Sequence, residues 1–224
     1  MLDYIVKTNT SFSCGFPLDV DNVVDAIHMS NDSLSALPNS LFRSIDYKTT
    51  SAMIGCIFCE QIASLTNGNA IVNPIEKGHP DIVPSYALGA SEAELRNYPA
   101  GLEVKCTIGN LRSGLTVKKA EQRIDVLGGI TWQAHHQEVS ELLGLTFDYF
   151  PTGHGNKPAI TAAFYSDQLC REDWGDISGT DGRNTKVCGM TASGKRKMGL
   201  GWCVIANHPK YIEKYKRIFK IHDL

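Results

Sequence analysis

The chain has 224 residues, of which 42% are hydrophobic and 21% are charged, and its formal net charge is −2. This composition is typical of a soluble globular protein, and the length predicts a single domain over 1–224 with a sizeable core. An apolar run of roughly 20 residues that could span a bilayer is absent, as is a basic segment followed by an apolar stretch at the N-terminus, so the sequence predicts neither a membrane helix nor a signal peptide.

The first half of the chain predicts helices followed by short extended segments. Residues 19–29 have helical apolar spacing, and 33–39 are typical of a connection. Residues 50–65 predict a largely buried helix that a Ser or Thr caps and that ends at the Asn-Gly pair 67–68. Extended segments are predicted at 69–73, 81–84 and 100–108.

The second half predicts further strands, one more internal helix and a helix at the end. Possible strands are 114–119 and 122–127, a helix covers 130–145, and β-rich runs at 145–150 and 159–167 flank a Gly/Pro loop at 151–158. Residues 166–201 are rich in Gly and polar groups and predict a long functional loop region, and Pro209 begins an amphipathic helix over 209–221. The order predicts an α/β fold with a central mixed β-sheet flanked by helices.

Seven cysteines are spaced irregularly, mostly within apolar runs. An odd, scattered set favours free thiols in a cytoplasmic protein over a disulfide framework. Cys56 and Cys59 are the one close pair, and a structural zinc site needs a second pair.

Three charged residues stand out at the starts of two extended segments: Asp81, then Glu103 and Lys105. Residues two apart on a strand point to the same face, so Glu103 and Lys105 project together, and Asp81 joins them if its segment pairs with theirs. Two converging carboxylates repel each other unless a cation lies between them, and Mg²⁺ typically takes one or two carboxylates plus water and phosphate oxygens. An ammonium beside them can orient or deprotonate a water, or neutralise charge on a phosphate.

The segment Pro80-Asp81, followed by Glu103-Val104-Lys105, resembles the PD-(D/E)XK nuclease motif. The resemblance implies a restriction-endonuclease-like core over about 49–166, with Asp81 and Glu103 as ligands of Mg²⁺, for which Mn²⁺ can substitute. It also implies Lys105 as the catalytic lysine and Glu60, in the preceding helix, as an auxiliary acid.

Each of these residues also has a purely structural interpretation. Glu103 and Lys105 could be an ordinary ion pair on an exposed strand, and Glu60 could face solvent from the edge of its helix. His79 could bond to backbone as readily as to phosphate. The adjacent His135 and His136 would diverge on a helix and make a poor metal pair.

The charge is unevenly distributed, with +6 over residues 195–224 and −8 over the remainder. Such a chain can present one basic face to a polyanion. Within the predicted loop region and the final helix, side chains suited to base edges or phosphates are Arg171, Arg183, Asn184, Lys186, Lys195, Arg196, Lys197, Lys210 and Lys214.

Together these features predict a Mg²⁺-dependent, sequence-specific endonuclease for double-stranded DNA of the type II restriction kind, in the cytoplasm of a prokaryote. One candidate active site per chain and two strands to cut favour a homodimer on a palindromic site. Two alternatives stay open: a structure-specific or repair nuclease or resolvase of the same fold, and a non-catalytic DNA-binding protein.

Overall fold

The computed structural model describes residues 2–133, 136–137, 141–178 and 186–224. The helices are α1 (Val20–Ala36), α2 (Asn39–Ser44), α3 (Tyr47–Leu65), α4 (Glu92–Leu95), α5 (Ala192–Leu200) and α6 (Pro209–Phe219). The strands are β1 (Tyr4–Val6), β2 (Ala70–Val72), β3 (Ile82–Pro84), β4 (Glu103–Thr107), β5 (Asn110–Leu111), β6 (Leu127–Gly129), β7 (Trp132–Gln133), β8 (Leu142–Thr152), β9 (Gly155–Ser166), β10 (Val187–Cys188) and β11 (Trp202–Ala206). Short 3₁₀ helices cover Ser85–Gly89 and Arg171–Asp173.

A five-stranded mixed sheet organises the fold, with strand order β1-β11-β9-β8-β4. Strands β8 and β9 form a long antiparallel hairpin, whereas β4 pairs in parallel with β8, from Glu103 opposite Leu142 to Thr107 opposite Thr146. A parallel pair needs a long crossover connection, and here it carries the small β5–β6 sheet. Strand β4 comes last in the strand order and so lies at one edge of the main sheet.

Helices cover both faces of this sheet. Helices α1 and α3 contribute to one apolar cluster, and α5 and α6 contribute to a second cluster with Trp132 and Phe164. In α3, Ile54, Phe58 and Ile62 recur every four residues and are fully buried, so each contributes roughly 1.5–3 kcal/mol through burial of its apolar surface. The predicted α/β class, a mixed sheet flanked by helices, is confirmed.

The ends of the early helices differ from those predicted. Helix α1 continues to Ala36, so the predicted connection at 33–39 is mostly wrong. An Asp19–Asn22 capping box begins α1, and the side chain of Asp46, rather than a Ser or Thr, caps α3.

The helix predicted over 130–145 is wrong over 130–133 and 141–145, whereas residues 136–137 are in a 3₁₀ helix. Residues Trp132–Gln133 form β7, and Leu142 begins β8. Residues 134–135 and 138–140 lie outside the described ranges. The error has a physical cause: β8 is covered on both faces, so its start is a continuous apolar run that sequence periodicity cannot distinguish from a buried helix.

The possible strands at 114–119 and 122–127 are also wrong, except that Leu127 begins β6. Carboxylate oxygens of Asp148 accept hydrogen bonds from the backbone N–H groups of Arg123 (2.8 Å) and Ile124 (2.9 Å). A buried side chain therefore satisfies backbone donors that a strand would have used in a ladder.

Three boundaries in the second half need correction. The predicted loop at 151–158 is largely hairpin, because the β8–β9 pairing continues to Thr152 opposite Gly155. The predicted loop region 166–201 contains β10 and helix α5, so Lys195, Arg196 and Lys197 lie on a helix. The final helix ends at Phe219 rather than at 221, with Lys220 in a left-handed cap at φ 56°. Within the described ranges, no helix is both long and apolar enough to cross a bilayer.

The more specific expectation of a restriction-endonuclease-like core stays a prediction. Helix α3, the antiparallel β2–β3 pair and then β4 follow one another in the expected order. A helix between β4 and β8 was also expected, and the described residues of that connection form none of the predicted α-helix.

Candidate active site

The predicted convergence of Asp81 with β4 is present in the structure. An isolated antiparallel bridge joins Ile82 to Leu102 through N–H···O bonds of 3.1 and 2.8 Å. Next to this bridge, the Asp81 Oδ2 atom accepts a hydrogen bond of 2.9 Å from the backbone N–H of Val104. Asp81 is thereby placed beside the first residues of β4.

Gly101 makes this close approach possible. Its φ is +148°, and an added Cβ would lie 2.3 Å from both the carbonyl oxygen of Ile82 and the Cγ of Pro80. Any side chain here would force the segment carrying Asp81 away from β4, so the site requires glycine at this position.

Glu103 is almost completely buried, with 2% of its surface exposed. One carboxylate oxygen, Oε2, lies 3.2 Å from Nδ1 of His79, and the other, Oε1, lies 3.6 Å from Nε2 of His136. His79 is partly exposed, whereas His136 is buried against the ring of Trp132. The two imidazoles therefore lie beside opposite oxygens of the Glu103 carboxylate.

The electrostatics of Asp81 reflect its closeness to Glu103. Burial, and then the charge of Glu103, raise the pKa of Asp81 to about 6 from its ordinary 3.8. The hydrogen bond from Val104 and the nearby His79 and Lys105 oppose this rise without cancelling it. The protein's own groups thus compensate the charge of Asp81 incompletely.

Lys105 completes the predicted trio. It is half-buried, and burial lowers the pKa of its ammonium, while the charges of Asp81 and Glu103 oppose that shift. Val104 and Cys106, which alternate with Glu103 and Lys105 along the strand, lie in the apolar core, as the strand periodicity predicts.

A cleft of about 520 Å³ lies between α3 and β4, and we call it the edge cleft. Asp81, Glu103, Lys105 and His136 line it from the sheet side. Glu60 lines it from α3, where its side chain is exposed. The auxiliary acid predicted in the helix therefore shares a cleft with the trio.

The donor chemistry of the edge cleft suits a hard divalent cation. Asp81 and Glu103 supply carboxylate oxygens, and Mg²⁺ needs only one or two of these when water and substrate oxygens complete its octahedron. Among the described residues, no group of three or more His, Cys, Asp or Glu side chains could hold a metal ion. All seven cysteines lie in the described ranges and are free thiols.

The described residues predicted to contact DNA lie on the 3₁₀ helix Arg171–Asp173, before β10, on α5 and on α6, and α5 contacts both that 3₁₀ helix and α6. Arg171, Lys186 and Arg196 are exposed, and Lys195 is half-buried. Arg183 and Asn184 lie outside the described residues.

Three of the predicted lysines have partners within the fold. Lys197 forms an ion pair of 2.6 Å with the buried Asp173, Lys210 forms one of 2.8 Å with Asp125, and Lys214 donates to the carbonyl oxygen of Leu127 at 3.0 Å.

Sequence reasoning assigned no role to His79 or His136 beside Glu103. The position of His79, directly before the Pro80-Asp81 pair, is a signal that could have placed it near the site. His136 reaches Glu103 from a segment distant in sequence, and only the fold of the crossover connection brings the two together.

No protein-family model, no curated protein and no solved structure matches this chain.

Proposed function

We propose that this protein is a divalent-cation-dependent endonuclease that hydrolyses phosphodiester bonds at specific sites in double-stranded DNA. The observation that carries the proposal is the convergence of Asp81, Glu103 and Lys105 in the edge cleft. A protein that only bound DNA would gain nothing from placing two acids together, since they repel a polyanion as well as each other.

Each member of the trio has a distinct role in this proposal. Asp81 and Glu103 bind Mg²⁺ or Mn²⁺, and the His79 and His136 rings fix the orientation of the Glu103 carboxylate. When bound, the cation supplies an activated water and neutralises charge on the phosphoryl oxygens. Because burial lowers the pKa of Lys105, its Nζ can exchange a proton with the attacking water more readily than an exposed lysine could.

Substrate and assembly follow from the same reasoning. Exposed cations such as Arg171, Lys186 and Arg196 can contact phosphates or base edges. We propose that two copies related by a dyad cut a palindromic site, because each chain carries one such cleft and a duplex has two strands. Free thiols throughout suit the cytoplasm of a prokaryote.

The test is digestion of plasmid DNA by the purified protein in Mg²⁺, Mn²⁺, Ca²⁺ or excess EDTA. We expect discrete fragments with Mg²⁺ and Mn²⁺ and little turnover with Ca²⁺, whose longer bonds and higher coordination number activate water less effectively. Robust cleavage in EDTA would overturn the proposed chemistry. A smear of products, or a preference for branched junctions, would support the non-specific or structure-specific alternative instead.

Stable DNA binding without cleavage under any of these conditions would support a binding protein.

A further inference from the structure

A second cleft lies between helix α6 and the segment that connects β5 to β6, and we call it the α6 cleft. Its lining includes the cationic side chains of Arg112, Lys210, Lys214 and Arg217, against the carboxylates of Asp125 and Glu213. The lining therefore carries a net charge of +2. Helix α6 packs in the apolar cluster on the face of the main sheet opposite α3, so this cleft is separate from the edge cleft.

Two of its cations are positioned without being neutralised. Arg112 donates to the carbonyl oxygen of Asp125 at 3.0 Å, and Lys214 donates to the carbonyl oxygen of Leu127 at 3.0 Å. A carbonyl fixes a side chain in place, but it leaves the full positive charge available to a ligand.

Arg217 has still fewer partners. Its side chain is exposed on α6 and makes no hydrogen bond or ion pair with any part of the chain that the structure describes. Burial, and then the charges of Arg217 and Arg112, lower the pKa of the Lys214 ammonium. Three cations held close enough to repel one another favour an anion between them.

Lys210 contributes less, since Asp125 pairs with it at 2.8 Å. Both members of this pair are more than half exposed, so the pair adds little stability.

The walls of the cleft are held firmly in place. The buried carboxylate of Asp148 accepts the backbone N–H of Ile124 at 2.9 Å and the hydroxyl of Tyr211 at 3.1 Å. Gln122 also donates to the Tyr211 hydroxyl at 3.2 Å. The buried Asp148 therefore links α6 to the opposite wall of the cleft, so ligand binding would require little additional ordering of the cleft.

We infer that the α6 cleft binds a phosphate group through Arg112, Lys214 and Arg217, and that its ligand is the backbone of the same DNA duplex whose cleavage we propose above. Arginine presents several donors in a fixed fork that suits phosphate oxygens. The identity of the ligand rests on the proposed function, whereas the anion site rests on the cleft itself.

The spacing of the two clefts fits a single duplex. Lys105 and Arg112 are seven residues apart in sequence, so their Cα atoms are separated by at most roughly 25 Å. One turn of B-form DNA rises roughly 34 Å, so this separation is shorter than a single turn of duplex.

The test measures binding of a fluorescently labelled DNA duplex over a range of salt concentrations, with Ca²⁺ in place of Mg²⁺. The variant is Arg217→Glu, whose side chain contributes no described contact to the fold, and the control is Arg43→Glu, the same change at an exposed position on α2. We expect Arg217→Glu to weaken binding by roughly ten- to hundredfold and to reduce the salt slope by about one. The control should bind like the wild type.

Equal affinity and equal salt slope for wild type and Arg217→Glu would overturn the inference. A second arm adds inorganic phosphate and follows thermal unfolding. If phosphate stabilises the wild type but not Arg217→Glu, while duplex binding is the same for both, the cleft is a small-anion site and the assignment to DNA is wrong.

The outcome also separates this inference from the proposed function. A wild type that never cleaves DNA, yet binds duplex in a manner dependent on Arg217, would overturn the nuclease and support the α6 cleft. If cleavage depends on Lys105 but duplex binding does not depend on Arg217, the nuclease is supported and the inference about the α6 cleft is overturned.

Discussion

The buried carboxylate of Asp173 and the partly buried carboxylate of Asp81 have opposite pKa shifts. Asp173 accepts from Lys197 Nζ at 2.6 Å, and from the backbone N–H and thiol of Cys170 at 2.9 and 3.2 Å. Burial alone would raise the pKa of Asp173, but these donors together lower it to about 2. Asp81 accepts one backbone N–H and lies beside Glu103, and its pKa is raised to about 6.

The opposite pKa shifts distinguish a carboxylate that stabilises the fold from one that we propose takes part in cleavage. At Asp173 the chain supplies enough donors to compensate the charge, so nothing further is needed. At Asp81 the charge is left partly uncompensated, which costs stability in the metal-free protein and favours a nearby cation. Perturbed acids in a cleft are candidates for function for this reason.

The largest expected effect comes from changing the trio in the edge cleft. Asp81→Asn, Glu103→Gln and Lys105→Met should each reduce the rate of plasmid cleavage by about 100-fold or more, because each removes a charge from the reacting centre. The free energy of unfolding should stay the same or rise in the two acid variants, since repulsion between the carboxylates is relieved.

The matched control is Lys118→Met, which removes an exposed lysine elsewhere on the surface. Its cleavage rate should equal that of the wild type. A trio variant that cleaves at a near-normal rate would show that its residue has been assigned the wrong role.

Changing the Asp173 site should produce the opposite pattern. Lys197→Met leaves a buried carboxylate without its cation, so the free energy of unfolding should fall in chemical denaturation. Cleavage per folded molecule should be unchanged, because Lys197 serves the fold in this account. A loss of cleavage or of duplex affinity with normal stability would return Lys197 to the DNA-contacting set.

The two acids should also give pH dependences of opposite sign. The folded, metal-free protein holds a proton on Asp81 more tightly than the unfolded chain does, so this residue's contribution to stability is lost as pH rises from about 4 to about 6. For Asp173 the folded pKa is lowered, so its contribution is present above about pH 4 and is lost as pH falls towards 2.

Thermal melts in EDTA across this pH range measure both effects. Asp81→Asn should remove the first dependence and leave the second. If Asp81→Asn leaves the whole profile unchanged, the raised pKa of Asp81 is wrong.

The smallest effect is expected for Glu60→Gln. Its side chain is exposed at the helix wall of the edge cleft, so it can act on the cation only through water or weakly through charge. We expect less than a tenfold loss in cleavage rate, measured as for the trio. A loss as large as that of the trio would make Glu60 a direct ligand, and no loss would make it an ordinary surface residue.

The sequence predicted the trio because its chemistry is local: Glu103 and Lys105 share a strand face, and one bridge brings Asp81 to them. It did not predict the role of His136 or of Asp148, because both act across long separations along the chain.

Strand β8 shows the same limit for the fold. Its apolar start predicted a helix, and its pairing with β4 and β9, together with the helices on both faces, makes it a strand.

The central claim is that Asp81 and Glu103 together bind a divalent cation. Titration of Mn²⁺ into the metal-free protein, followed by the loss of the free-ion signal in electron paramagnetic resonance, tests it most directly. We predict that the wild type and Lys105→Met bind the ion, since both keep the two carboxylates, and that Asp81→Asn and Glu103→Gln do not. Equal Mn²⁺ binding by the wild type and both acid variants would contradict the account.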